Sequence, residues 1–275
     1  MKTIFTNDHC VIFQSALYQT NTIVIQTPDS ILIVDPNWLP DEIEEIKQYI
    51  NTIQTDRDIY MLVTHSDFDH IIGYGAFSNA KVIASKELAE RDDKQDILKQ
   101  IYDFDQQYYC NRPYPYQYPE VDYIVEKEKE QLSIDSYLSL TIYKAAGHTN
   151  DAIMAVAEPY GILVAGDYLS DIECPFIYGS SNQYEETLLK IPGILKKHSC
   201  NLAVPGHGTP AKHLKEILAR QENSLLYIHS LKQALQEGKT TEETLQLITH
   251  YPFYDGLIAE HEKNIVQLRQ EWTKK

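Results

Sequence analysis

The chain has 275 residues, with 24 Lys plus Arg against 40 Asp plus Glu, a formal charge of −16. That balance repels polyanions and excludes bulk nucleic acid and anionic membrane surfaces as general partners. Hydrophobic residues make up 43% and charged residues 23%, which excludes wholesale disorder and collagen-like order and leaves enough chain to bury a large core.

The N-terminal stretch Met1–Asp8 lacks the apolar region of a signal peptide. No apolar run approaches the ~18 residues of a transmembrane helix. Cys10, Cys110, Cys174 and Cys200 are scattered and form no C-x-x-C pair, so neither a disulfide framework nor a zinc ribbon is expected. The expectation is a soluble, cytoplasmic protein of one domain spanning 1–275.

Val11–Phe13, Thr22–Gln26 and Ile31–Val34 read as short strands, with Thr27–Ser30 as a turn, so the chain opens with an antiparallel meander ending at Asp35-Pro36. Ile43, Ile46, Ile50 and Ile53 recur at three and four residues, which predicts an amphipathic helix over 40–54 with Pro40 in its first turn. Ile59–Val63 is a continuous apolar run and reads as a buried strand. Lys81–Ala84 is a further strand, and 86–108 is helical. Tyr123–Val125, Leu138–Tyr143, Ala152–Ala157 and Gly161–Ala165 resume the β pattern. Residues 183–198 form a helix, with Asn182 and Glu185 as a capping box. Asn201–Val204 is a last strand, and 211–275 is a helical extension with a second capping pair at Thr240 and Glu243. This order implies sheet layers with helices outside. Tyr102–Tyr123 carries seven tyrosines and three prolines. It reads either as an aromatic lid over a pocket or as a surface loop packed on neighbouring helices.

The densest chemistry is His65-Ser66-Asp67-Phe68-Asp69-His70, directly after a buried strand. A turn there gathers two imidazoles and two carboxylates, the ligands of hard to borderline divalent metals. Three later strands each end in a glycine followed by a further candidate ligand: Gly147-His148, Gly166-Asp167 and Gly206-His207. His9 and His198 belong to no such pattern.

This set resembles the metallo-β-lactamase superfamily, whose pattern is H-x-H-x-D-H, then G-H-T, G-D and a late G-H. The resemblance covers roughly residues 10–210 and includes Asp35-Pro36. It implies a four-layer αββα sandwich, an α/β (α+β) class, with helices added at the carboxy-terminal end. It also implies two divalent metal ions. His65, Asp67 and His148 would hold one, Asp69, His70 and His207 the other, and Asp167 would bridge them.

One position departs from the pattern. The second histidine of the family motif is Asp67 here, similar to the flavodiiron branch, where a glutamate stands at that position and iron is bound. The ions are therefore zinc first, with iron or manganese made plausible by the added carboxylate. Two ions close together lower the pKa of a shared water towards ~7, which makes a serine or cysteine nucleophile unnecessary. Asp69 would also orient that hydroxide. Asp35, Thr149 and Asp151 are candidates for fixing the ligands.

The expectation is a metal-dependent hydrolase acting on a small-molecule ester, thioester, lactone or phosphodiester. Its rivals are a di-iron redox protein with a separate electron donor and a non-catalytic metal-binding module of the same fold.

Overall fold

The computed structural model describes residues 1–54 and 56–273. A seven-stranded sheet runs in the order β1 (Lys2–Thr6), β2 (Cys10–Gln14), β3 (Asn21–Gln26), β4 (Ser30–Val34), β5 (Asp58–Leu62), β6 (Lys81–Ser85), β7 (Tyr123–Val125). A five-stranded sheet follows, from β8 (Lys129–Ser133) at one edge through β9 (Ser139–Lys144), β10 (Ile153–Glu158) and β11 (Ile162–Val164) to β12 (Leu202–Val204). The first four strands pair antiparallel, as the meander predicts, and β4–β5, β5–β6, β6–β7 and β11–β12 pair parallel.

Alternation along the strands explains the layers. Ile12, Ile23, Ile25, Leu32, Val34 and Leu62 face Leu140, Ile142, Ile153, Ala155 and Val164 of the other sheet in one shared core. Their neighbours Val11, Val24, Ile31, Ile33 and Met61 point the opposite way, onto α1 (Pro40–Ile53) and its companions. Successive residues of a strand point to opposite faces, so a strand buried on both faces is apolar throughout. The outer face of the second sheet is covered by α5 (Ser181–His198), α6 (Leu214–Gln236) and α8 (Tyr254–Thr273). The result is the expected four-layer αββα sandwich.

Several local expectations change. The helix expected over 86–108 is two, α3 (Lys86–Ala89) and α4 (Lys94–Tyr108). The break frees Arg91 to reach the Ser66 hydroxyl at 2.6 Å and the Asp151 carboxylate at 3.3 Å. The capping box at Asn182 and Glu185 does not form. Ser180 is the N-cap of α5, and Ser181 donates its N–H (2.7 Å) and its hydroxyl to the Glu271 carboxylate of α8. A full negative charge satisfies the positive end of a helix better than a local amide. Asn182 and Glu185 instead bond Lys232 of α6.

Thr240 and Glu243 do form their box, at the start of the short α7 (Thr241–Thr244). The carboxy-terminal extension begins its first helix at Leu214, because Ala211 is paired across to Ala203; its last two residues lie outside the described ones. The structure adds two strands, β1 and β8, to those the sequence predicts. β8, Lys-Glu-Gln-Leu-Ser, has almost no apolar signal and is an edge strand held by its ladder to β9. No helix among the described residues is long and apolar enough to cross a membrane.

Candidate metal centre

The site lies where strands from both sheets end. Asp35 follows β4, and His65–His70 follow β5, with Asp69 and His70 in the one-turn α2 (Phe68–Ile71). His148 sits in the turn between β9 and β10, Asp167 just after β11, and His207 just after β12. Ligand atoms of His65, Asp67, His148 and Asp167 lie within 4.8 Å of one another, as do those of Asp69, His70 and His207. All seven residues expected from the sequence are thus brought together, in the two groups expected.

Asp167 stands between the groups. Its carboxylate oxygens lie 3.1 Å from His70 Nε2, 3.3 Å from His148 Nε2, 3.4 Å from His207 Nε2 and 3.6 Å from His65 Nε2. Asp67 lies 3.2 Å from His148 Nε2, and Asp69 lies 3.3 Å from His207 Nε2 and 3.5 Å from His70 Nε2.

The hydrogen bonds behind the imidazoles set their direction. His65 Nδ1 bonds the Thr64 hydroxyl at 3.0 Å; that hydroxyl donates its own proton to Asp35, so the ring is the donor. His70 Nδ1 donates to Asp35 Oδ2 (3.0 Å), His148 Nδ1 to the Phe176 carbonyl (2.9 Å) and His207 Nδ1 to the Tyr18 carbonyl (3.0 Å). With Nδ1 the donor in each ring, all four histidines present Nε2 to the shared volume. That is how oxygens behind the ligands fix metal-binding histidines. His65 Nε2, His148 Nε2 and Asp167 Oδ1 are buried and have no hydrogen-bond partner. Orphaned buried polar atoms are costly unless something else satisfies them. A cation would do so here, and the donor set of four imidazoles and three carboxylates suits a borderline divalent metal.

The backbone makes room for this. A Cβ on Gly206 would lie 2.1 Å from Asp167 Oδ1 and 2.8 Å from the His70 ring. Gly147 has φ +134° and its missing Cβ would sit 2.3 Å from the Tyr184 backbone, so only glycine lets His148 approach.

Charge follows the same logic. Burial alone would raise the Asp67 carboxyl, but the close approach of His148 Nε2 at 3.2 Å and the charge of the His65 ring pull it down to about 2. Burial also opposes the ionisation of Asp69 and Asp167, and the neighbouring histidines hold both below the ordinary carboxylate range. In His70 and His148 burial opposes the charged form, and the adjacent Asp67, Asp69 and Asp167 raise both well above the usual imidazole value. His207 is raised likewise, against burial, by Glu173 first and then Asp167 and Asp69.

A prediction follows for the metal-free protein. Raised histidines contribute stability that is full below about pH 6.5 and is lost as pH rises through their folded values. Depressed carboxylates contribute stability that is full above about pH 3.9 and is lost as pH falls towards about 2. Metal-free protein is therefore expected to lose several degrees of Tm between about pH 6.5 and 9, whereas metal-loaded protein, whose cations replace those protons, keeps its Tm. Thermal melts of chelated and reloaded samples across that range check this; identical slopes would contradict it.

Asp35 acts on a ligand directly. Thr149 and Asp151 bond each other at 2.6 Å, and Asp151 accepts from Arg91, so this pair braces the His65 and His148 turns rather than a ligand ring. His198 bonds Tyr143 and Glu158, and His9 stacks on Tyr160; neither joins the cluster.

In the tyrosine-rich segment, Arg112 and Asp105 form a fully buried ion pair at 2.8 Å. Tyr114, Tyr116 and Tyr118 spend their hydroxyls on Arg112, Asp105 and the Leu88 carbonyl. Tyr108 and Tyr109, at the end of α4, stay exposed.

Sequence reasoning missed Tyr18, Glu173 and Tyr178. Tyr178 holds its ring 5.2 Å from that of His148, centre to centre, and donates its hydroxyl to Glu260 (2.8 Å). Glu173 lies 3.8 Å from His207 Nδ1, and burial pushes its carboxyl up to about 7. Nothing in their sequence neighbourhoods marks them; only the folding of the β2–β3 connection, for Tyr18, and of 170–180, for Glu173 and Tyr178, across the site does.

Comparison with known proteins agrees with this geometry. Residues 16–207 match the family described as the metallo-beta-lactamase superfamily. Among solved structures, a metallo-beta-lactamase family protein from Thermus thermophilus superposes with a TM-score of 0.67 at 17% identity, covering 96% of this chain and 94% of that one. The sec-alkylsulfatase Pisa1 from Pseudomonas sp. superposes at 0.67 with 13% identity over 98% of this chain. This chain spans only 49% of that enzyme's length. The DIM-1 metallo-beta-lactamase superposes at 0.53 with 15% identity, over 81% of this chain and 97% of its own. At these identities the likeness is one of fold. No curated protein matches the sequence.

Proposed function

Because the chain belongs to the metallo-β-lactamase superfamily, we propose that it is a metal-dependent hydrolase that holds two divalent ions and cleaves a small ester, thioester, lactone or phosphodiester. The observation that carries this reading is the convergence of four Nε2 atoms and three carboxylates, several of them buried without a partner.

His65, Asp67 and His148 would hold one ion, Asp69, His70 and His207 the other, and Asp167 would serve both. When bound, such ions supply Lewis acidity and a nucleophile at neutral pH. The remaining work falls to the chain itself. Asp69 turns Oδ2 towards His70 and His207, which leaves Oδ1 to orient the attacking water. Asp35 and the Phe176 and Tyr18 carbonyls keep the rings aimed. Glu173 lies 3.8 Å from His207 Nδ1, behind the ring that would hold the second ion.

The flanking Tyr18 and Tyr178 are aromatic; burial first, then Tyr108 and the acids Asp69, Glu173 and Glu260 raise the Tyr18 hydroxyl.

The test is elemental analysis of protein purified without chelator or metal-binding tag, followed by turnover on ester, thioester, lactone, phosphodiester and sulfate ester panels, with metal-free protein as control. The expected result is near two ions per chain and turnover that disappears on chelation. No metal after reconstitution, or turnover indifferent to chelation, would overturn the proposal. Dioxygen uptake with an added reductase and no hydrolysis would transfer the site to redox chemistry.

A further inference from the structure

One face of α8 grips the segment that surrounds His148. Asn264, Gln267 and Glu271 are spaced three and four residues apart, so they share that face. Asn264 is fully buried; its Oδ1 accepts the Ile177 N–H (2.8 Å), and its Nδ2 donates to the Pro175 carbonyl (2.6 Å) and the Tyr227 hydroxyl (2.8 Å). Gln267 donates to the Gly179 carbonyl, and Glu271 accepts from Ser181. The gripped segment in turn holds His148. The Phe176 carbonyl accepts from His148 Nδ1, and the Tyr178 and Gly179 N–H groups both donate to the His148 carbonyl at 2.9 Å.

The decisive point is covalent. The Phe176 carbonyl and the Ile177 N–H belong to one planar peptide unit. Asn264 therefore grasps one end of the plane whose other end grasps His148. Fixing the N–H fixes the direction of the carbonyl, and donation from the N–H strengthens the carbonyl as an acceptor.

We propose that Asn264 is a positioning residue for His148: by holding the 176–177 peptide and the Pro175 carbonyl, it sets the direction in which the His148 imidazole presents Nε2. The proposal rests on the metal-site reading above as far as affinity is concerned, but the hold on Nδ1–H exists with or without a metal.

The experiment compares the full-length wild type with Asn264→Leu, Asn264→Asp and, as a control on the same helix, Leu268→Ala, which removes buried apolar surface and takes away none of these hydrogen bonds. Two readouts are used. The first is the affinity of each of two cobalt(II) or zinc(II) ions by chelator competition, with the cobalt visible spectrum. The second is solvent exchange of the His148 Nδ1–H proton by NMR in metal-free protein.

Asn264→Leu is expected to weaken one of the two ions roughly 10–100-fold, to alter the cobalt spectrum, and to speed Nδ1–H exchange. Leu268→Ala is expected to lower Tm while leaving all of these at wild-type values. Wild-type affinities together with unchanged exchange in Asn264→Leu would overturn the proposal. If that variant fails to fold, Asn264→Asp decides: it keeps the acceptor for the Ile177 N–H but sets a carboxylate oxygen against the Pro175 carbonyl, so a change of the same sign is expected, and wild-type behaviour overturns the role. A wild type that takes up no metal would refute the metal reading alone, because the exchange measurement still tests Asn264.

Discussion

Asp167→Ala is expected to reduce bound metal from near two ions per chain to below one and to abolish hydrolysis. Asp167 alone lies against all four histidine Nε2 atoms, between 3.1 and 3.6 Å. Its removal takes a ligand from both groups at once and leaves four imidazoles facing a cavity with less negative charge to balance a cation. Loss of the Lewis-acid contribution is worth several kcal/mol, or ~10³-fold or more in rate. Elemental analysis and turnover on the best substrate of the panel check this. A variant with two ions and full activity would show that the site is elsewhere.

Asp67→His is expected to shift metal preference towards zinc by about tenfold or more. In the observed site Asp67 is 3.2 Å from His148 and 3.7 Å from His65, and its carboxylate is ionised at any physiological pH. It adds a hard anionic oxygen to a group that otherwise holds two imidazoles and Asp167. An imidazole in its place makes the group softer and less negative, which suits zinc better than iron(II) or manganese(II). Competition of the three metals for the wild type and the variant, read by elemental analysis, measures the shift. An identical profile would mean that Asp67 does not set metal choice.

The ligands were legible because metal chemistry demands particular side chains, and six residues of one loop supply four of them. The central strands were legible because burial on both faces leaves an apolar run such as Ile31–Val34. What escaped is carried by atoms without a sequence signature. The Phe176 and Tyr18 carbonyls that aim His148 and His207 are backbone, and any residue offers one. Glu271 takes the place of the expected cap of α5 from 90 residues away in the chain, a competition that local spacing does not encode. β8 has ladder hydrogen bonds in place of hydrophobic content. The tyrosine-rich segment was ambiguous in sequence because a phenol serves equally as packing surface and as a hydrogen-bond donor; the buried Arg112–Asp105 pair takes the hydroxyls of Tyr114 and Tyr116.

The two ligand groups each draw on both halves of the sandwich: His65 and Asp67 with His148 and Asp167, Asp69 and His70 with His207. Each ion would thus be a removable cross-link between segments remote in the chain, closing long loops as a disulfide would. Such a clasp binds the folded state and raises its stability with the free metal concentration by mass action. The melting temperature of this protein then becomes a reading of the metal supply around it, and a cell that starves it of metal loosens the seam between its two sheets before it loses either sheet.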